Sequence, residues 1–318
     1  MPPSASDRGE QTRAFASLAL VMLFWAGNSI VARAVRFDVP PFTLAFGRWT
    51  IALLLVMPFA VAALRRDRVA LLGGWKVVLL LGLLGIGAFN ALLYSGLQDT
   101  SAANALLLQA AVPALVALLD RLMFGVRVGR VQALGIAASV LGVLTIVFEG
   151  DPAAALRLHF GRGDVLILAS VVVWSLYTVL LRLRPAIAPV SFIAATFAVG
   201  VVTMAPLALW EWQSGQHVHW SIGVGAAFLY VGVLPSLVSY FIYNAAAARV
   251  GAARAGQAIT LMPLFGAALS AALLREPLHD YHFAGMAFIL AGIGLGALAP
   301  KRSEAGGASG AARLEEQA

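Results

Sequence analysis

The sequence predicts an all-α integral membrane protein: ten transmembrane helices arranged as two inverted five-helix repeats. Three observations carry the prediction: apolar runs of membrane-crossing length, basic residues gathered on one side of those runs, and prolines, glycines and tryptophans that recur in both halves. Of 318 residues, 61% are hydrophobic and 12% charged, and the mean hydropathy is +0.88, more apolar than a soluble core of this length requires. The charges bunch between runs of about 20 residues, the helix length that crosses roughly 30 Å of hydrocarbon. A net charge of +7 raises nucleic acid as a partner, but the basic residues alternate with the apolar runs, so the partner is the lipid bilayer. With no cysteine and five histidines in no metal-binding spacing, neither a disulfide nor a metal or other cofactor is expected.

A polar segment, 1–14, comes first. The apolar run after it is too long for a secretory leader and lacks a small-residue cleavage site, so it is read as a helix that stays. Charged and Pro/Gly breaks then delimit spans at 15–35, 42–64, 75–97, 101–121 and 129–148, which form the first repeat, 15–148. Gln98, Asp99, Thr100 and Ser101 fit a tight hairpin between the third and fourth. An outer linker, 149–163, leads to the second repeat, 164–299, with spans at 164–183, 190–210, 219–246, 251–274 and 281–299. The tail, 300–318, is Gly, Ala, Ser and charge and has nothing to bury, so it is expected to be disordered.

With both termini on one side, that side holds Arg65, Arg66, Arg68, Lys76, Arg182 and others, sixteen of the 22 basic residues. Opposite lie Arg33, Arg36, Arg157, Arg162 and Arg275, with Arg48 inside a span. The positive-inside rule puts both termini in the cytoplasm of a bacterial-type inner membrane.

A shift of about 149 residues lays Trp174 on Trp25 and Pro189 on Pro40, and one residue more lays Pro263 on Pro113, Gly285 on Gly135 and Gly292 on Gly142. Matched prolines and glycines are backbone features, so they argue for duplication more strongly than matched leucines. Five spans per half is an odd number, which inverts one half relative to the other. Inverted repeats place a binding site near the midplane and give two related packings, the basis of alternating access.

Several motifs resemble the EamA-type family of the drug/metabolite transporter superfamily. They are Phe24-Trp25-Ala26-Gly27-Asn28, Pro41 followed by Phe46-Gly47-Arg48, Gly163-Asp164 leading to Trp174, and Arg275-Glu276-Pro277-Leu278 followed by Gly285 and Ala291-Gly292. Phe124-Gly125-Val126-Arg127 departs from the pattern, with valine where the family often carries glutamate. The resemblance covers residues 15–299 and implies an exporter of amino acids and related metabolites. It also implies a cavity ringed by the first four spans of each half, with the fifth and tenth peripheral.

Polar side chains inside spans are costly unless paired or facing water, so they are the site candidates. Trp25 and Asn28 share a helix face, and Trp174 and Tyr177 occupy the matching places, giving either two walls of a substrate pocket or helix-packing filler. Asn90, Tyr94, Gln109, Gln257 and Thr260 serve either as cavity groups, with Gln109 and Gln257 the first choices, or as interhelical hydrogen bonds. Tyr240, Tyr243 and Asn244 are expected nearer the cytoplasmic end, as gate or belt anchor. Arg48 binds a substrate carboxylate, snorkels outward, or pairs with Asp38 or Asp99. Pro113 and Pro263 are expected in mid-helix, as hinges or static bends; Pro235 has no obvious partner.

The leading function is an inner-membrane secondary carrier exporting small polar metabolites, amino acids first, by alternating access. A cationic-drug exporter wants a deep carboxylate, yet Asp120, Glu149 and Asp164 sit at span ends. A lipid-modifying enzyme needs a catalytic constellation that the sequence lacks, and a receptor or scaffold would not call for an inverted repeat. The chain is therefore read as no enzyme, and the sequence leaves monomer and homodimer open.

Overall fold

Inside a bilayer no water satisfies backbone N–H and C=O groups, so a spanning segment must close its hydrogen bonds internally. The computed structural model follows this rule: among the described residues every regular element is helical. Those residues are 5–100, 105, 108–109, 111–126, 128–148, 150–151, 153, 161–274 and 279–298. The tail 300–318, most of the outer linker and the Arg275-Glu276-Pro277-Leu278 motif lie outside them.

The helices are α1 (Ala5–Ala34), α2 (Pro41–Gly73), α3 (Trp75–Asp99), α4 (Val112–Phe124), α5 (Arg130–Val147), α6 (Arg162–Leu183), α7 (Pro189–Gln213), α8 (Ile222–Val250), α9 (Ala252–Ala258), α10 (Leu261–Leu274) and α11 (Asp280–Leu298). Among the described residues six helices are long and apolar enough to cross a membrane: α1 from Thr12, α2, α3, α6, α7 and α8. The predicted spans 101–121, 129–148, 251–274 and 281–299 fall on α4, α5, the α9–α10 pair and α11.

Local chemistry sets the boundaries. α2 and α7 each begin on a proline, Pro41 and Pro189, where the missing N–H would have had no helical partner. Pro189 therefore matches Pro41, one residue away from the match to Pro40 that the sequence suggested. α2 runs past its expected end at 64 because Arg65, Arg66 and Arg68 are good helix formers. Gly125, with φ 67°, closes α4 in the left-handed conformation that glycine adopts without penalty.

Two interruptions were not foreseen. α3 and α8 each contain a π-helical turn, Leu83–Ala88 and Val233–Val238, at corresponding places in their halves. Such a turn adds a residue to the helical circuit and leaves carbonyls without their usual partners. The mid-helix kinks expected at Pro113 and Pro263 are corrected. Pro113 is the second residue of α4, and Pro263 stands in the first turn of α10 after the break at Ile259 and Thr260. A first helical turn tolerates proline because its N–H groups have no intrahelical acceptor.

The packing sets helices from the two halves against each other. α1 lies on α8 and α10, and α6 on α3 and α4. α2 and α7 run antiparallel, with Trp49 on Phe197 at 5.1 Å and Phe42 near Trp210 at 6.4 Å. α5 and α11 also run antiparallel, Gly135 facing Gly292 and Gly142 facing Gly285. These glycines thus pack against each other within the chain.

Candidate functional site

A cavity lies where α1, α2, α3, α4, α6, α8 and α10 converge. Its wall is mainly apolar and aromatic: Trp25, Phe89, Leu93, Val112, Val171, Trp174, Tyr240, Ile259 and Met262, with Asn28, Ser29, Arg48 and Gln109 supplying polar atoms. A few convergent polar groups in an apolar wall is the usual make-up of a small-molecule site.

The floor of the site is an aromatic cluster. Trp25 and Trp174 meet edge to face, ring centroids 5.1 Å apart. Tyr243 lies 5.1 Å from Trp25, and Phe89 4.7 Å from Trp174. The π-helical turns fix this cluster through the carbonyls they expose. Pro235 O accepts from Trp25 Nε1 at 2.9 Å, and Gly85 O accepts from the Tyr240 hydroxyl at 2.5 Å. Pro235 itself has no N–H to give Val231 O, and the Ser236 hydroxyl donates there instead at 2.6 Å.

Arg48 is 3% exposed, neither snorkelled nor paired with Asp38 or Asp99. Its Nε donates to the Ser236 hydroxyl, and its Nη1 reaches Tyr94 Oη at 2.6 Å, Asn90 Oδ1 at 3.1 Å and Asn28 Oδ1 at 3.3 Å. Nη2 donates to Pro235 O at 3.2 Å, and the guanidinium lies 4.6 Å from the Trp49 ring. No carboxylate lies within 4.0 Å of it among the described residues. A cation inside a membrane span costs about 3 kcal/mol or more, and here neutral oxygens alone offset that cost.

A second polar group lies on the other side of the tryptophans. The Tyr177 hydroxyl donates to Asn244 Oδ1 at 2.8 Å, while Thr178 and Tyr243 share a hydroxyl hydrogen bond of 3.1 Å. In the Arg48 group the Tyr94 hydroxyl donates to Asn28 Oδ1 at 3.0 Å. One tyrosine-to-asparagine bond thus stands on each side, with the two residue types exchanged between helices: Asn28 and Tyr177 on α1 and α6, Tyr94 and Asn244 on α3 and α8.

Of the residues singled out from sequence, Trp25, Asn28, Arg48, Gln109, Trp174 and Tyr240 line the cavity. Asn90 and Tyr94 stand one hydrogen bond behind it, on Arg48. Tyr177 packs on Trp174 with centroids 5.1 Å apart and points at Asn244. Gln257 and Thr260 are corrections. Gln257 Nε2 donates to Gly292 O at 2.7 Å and Ser139 Oγ at 3.2 Å, so it ties α9 to α5 and α11 instead of facing the cavity. Thr260 donates to Gln257 O at 2.7 Å and supports the break before α10. Tyr240 and Tyr243 are buried within the aromatic cluster, not in an interfacial belt. Sequence reasoning missed Ser236, whose place beside a proline in a span was the available signal, and the apolar wall, for which no signal exists.

A smaller pocket lies on the far side of Tyr94, between α1, α2 and α3, and carries Arg33 and Arg36. Arg33 donates to Leu97 O at 2.9 Å, and Arg36 to Arg33 O at 2.9 Å.

Residues 13–148 and 161–297 each match the EamA-like transporter family. Uncharacterized transporter YetK of Bacillus subtilis (strain 168) is 24% identical over 93% of this chain and 90% of its own. Uncharacterized transporter YyaM of the same organism is 28% identical over 68% of this chain and 70% of its own. A protein named Probable amino-acid metabolite efflux pump, from Salmonella typhimurium, is 26% identical over 86% of this chain and 91% of its own. A solved crystal structure shares the fold at a TM-score of 0.70 and 20% identity, over 89% of this chain and 96% of that one.

Proposed function

We propose that this chain, which belongs to the EamA-like transporter family, is a secondary carrier that exports small polar metabolites, amino acids first among them. It is a multi-pass membrane protein, and in this reading its ten spans form two inverted five-helix repeats in a bacterial-type inner membrane, both termini cytoplasmic. The substrate occupies the cavity at Trp25 and Trp174, and access alternates between its two sides.

The observation that carries the reading is the recurrence of one architecture in both halves around that cavity. The π-helical turns, the first-turn prolines of α4 and α10 and the tyrosine-to-asparagine bonds all occur twice. Elements with two near-equivalent packings are what alternating access needs. Breaks at Pro113 and Pro263 are the places where α4 and α10 pivot. The amino-acid preference and the outward direction draw on the name of the Salmonella typhimurium relative. A cationic drug is disfavoured because no acid among the described residues lines the cavity.

Counterflow in proteoliposomes tests the proposal: vesicles are loaded with one of a panel of unlabelled amino acids and other metabolites, and uptake of a labelled compound is followed. Saturable uptake that is selective across the panel and lost in Trp25→Ala is the expected result. Folded protein that exchanges no member of the panel would overturn it.

A further inference from the structure

We infer that the carried species is a net anion, a carboxylate on an apolar body with no free ammonium group, and that Arg48 is the residue that reads it. The inference rests on the proposed reading of the central cavity as the site of a small metabolite, and within that reading it puts an anion that lacks the ammonium group in the place of the amino acid.

The charge of the cavity decides the matter. Among the described residues Arg48 is its only charged side chain, and the acceptors around it, Ser236, Asn90, Tyr94, Asn28 and Pro235 O, are all neutral. Every aspartate and glutamate of the sequence falls near a span end or outside the spans. Empty, the site therefore buries one uncompensated positive charge. A carboxylate accepting from Arg48 cancels it through a charge-assisted hydrogen bond, the strong kind. Nη2 has its single bond to Pro235 O, so one of its two N–H groups is left for an incoming oxygen.

A zwitterion gains the same contact but brings a second cation into the cavity. Its ammonium group would meet the indoles, Tyr240 and Gln109, which attract a cation but supply no counter-charge, so the filled site keeps one net positive charge that an anion would have cancelled. The remaining wall, among it Phe89, Leu93 and Met262, suits an aromatic or branched aliphatic body.

The way out agrees. The smaller pocket beyond Tyr94 holds Arg33 and Arg36, and neither has an ion-pair partner among the described residues. Tyr94 lines that pocket and bonds both Arg48 and Asn28 on the cavity side. The Tyr94 hydroxyl is thus a partition between two cationic chambers, and an anion leaving Arg48 passes next to Arg33 and Arg36. Among the described residues no carboxylate or histidine lines the cavity to carry a proton, so in this inference each completed cycle moves one negative charge, and a cell-like potential, negative inside, drives it outward.

Leucine and 4-methyl-2-oxopentanoate share a carbon skeleton and differ in the ammonium group, so they separate the two cases. In counterflow, the labelled oxo acid is expected to be carried at least tenfold faster than labelled leucine. Its net uptake should rise under an inside-positive potential set by potassium and valinomycin and fall when the sign is reversed. Arg48→Lys is expected to keep reduced transport of the oxo acid and Arg48→Gln to lose it, but the comparison of the two compounds on the unaltered protein decides without either variant. Leucine carried as fast as the oxo acid, or oxo-acid uptake indifferent to the sign of the potential, would overturn the inference and leave the carrier standing. Exchange of neither compound while other panel members exchange would have the same meaning, whereas exchange of nothing by folded protein would remove the carrier reading itself.

Discussion

Trp25 and Trp174 meet edge to face at the centre of the bundle, ring planes at 90° and centroids 5.1 Å apart. Each comes from the first helix of its own half, and each also touches Tyr240 and Tyr243. Aromatic pairs in this geometry are worth about 0.5–1.5 kcal/mol beyond the area they bury. Trp25→Ala removes the ring and leaves Pro235 O with one donor fewer, so we expect a loss of about 3–5 kcal/mol, the usual cost of a large-to-small change in a packed core. Trp25→Phe keeps most of the packing and loses the N–H, so it should unfold at a temperature nearer the unaltered protein while counterflow drops several-fold. Thermal unfolding in detergent and vesicle counterflow, run on the same preparations, separate the two effects. A Phe variant as unstable as the Ala variant would show that the hydrogen bond to Pro235 outweighs the packing.

The two tyrosine-to-asparagine bonds differ in what stands behind them. Removing the Tyr94 hydroxyl leaves Asn28 Oδ1 with Arg48 at 3.3 Å, and Arg48 with Asn90 at 3.1 Å. Removing the Tyr177 hydroxyl leaves Asn244 Oδ1 with no donor, and Asn244 Nδ2 already has no acceptor. A buried amide with neither end satisfied costs about 1–3 kcal/mol, against about 0.6 for an average hydrogen bond within a membrane protein. Tyr177→Phe is therefore expected to destabilise more than Tyr94→Phe, by about 1 kcal/mol. Urea or thermal unfolding of the two variants measures the difference, and an equal loss would mean that Asn244 finds other partners.

α5 and α11 touch through their backbones. A Cβ placed on Gly135 would stand 2.6 Å from Gly292 O, and one on Gly142 would stand 2.5 Å from Gly285 O. Helices inside a bilayer gain from such close approach because lipid tails offer no hydrophobic drive to hold them together. Gly135→Val and Gly142→Val should each force the pair apart and cost about 1–3 kcal/mol, lowering the unfolding temperature and the yield of monodisperse protein. Gly225→Val is the control, since nothing lies within 4 Å of its Cβ position. If the control falls as far as the other two, helix propensity and not helix contact is responsible.

These particulars show what was legible in the sequence. The length of the apolar runs gave the six helices long and apolar enough to cross a membrane among the described residues, because a membrane imposes one length scale on every helix that crosses it. Recurring prolines and glycines marked the places where the backbone departs from a plain helix, and Gly135, Gly142, Gly285 and Gly292 do mark a contact. The direction of a polar side chain was less accessible. Gln109 and Gln257 look alike in sequence, yet one lines the cavity and the other binds Gly292 O and Ser139. An amide in a span must find partners, and whether those are helices or substrate depends on the neighbouring helix. The same limit hid the partners of Arg48, which come from α1, α3 and α8. The π-helical turns left no local signature beyond Gly85 and Pro235, neither of which specifies one alone.

The antiparallel α2–α7 pair holds each of its ends with an acid borrowed from the partner helix. Glu211, near the end of α7, accepts from Phe42 N at 2.8 Å and from Thr43 N and Thr43 Oγ1 at 2.7 and 2.8 Å, and so caps the start of α2. Asp67, near the end of α2, accepts from Ala188 N at 2.8 Å and Ser191 Oγ at 2.7 Å, and so caps the start of α7. A carboxylate at a helix start satisfies orphan N–H groups and favours the positive end of the dipole. Glu211 is 1% exposed, so water cannot take its place, and Glu211→Gln should cost about 1–2 kcal/mol. Asp67 is partly reached by solvent and by Arg66, so Asp67→Asn should lower the unfolding temperature less than half as far. The capped Thr43 and the capping Asp67 are 24 residues apart on α2, about 36 Å at 1.5 Å per residue. Sites so distant combine independently to within about 0.5 kcal/mol. The double variant should thus lose the sum of the single losses, measured by unfolding of all four proteins in one detergent. A double variant that loses clearly less than the sum would mean that releasing one end already frees the other, and that α2, which carries Arg48, moves as a rigid rod against α7.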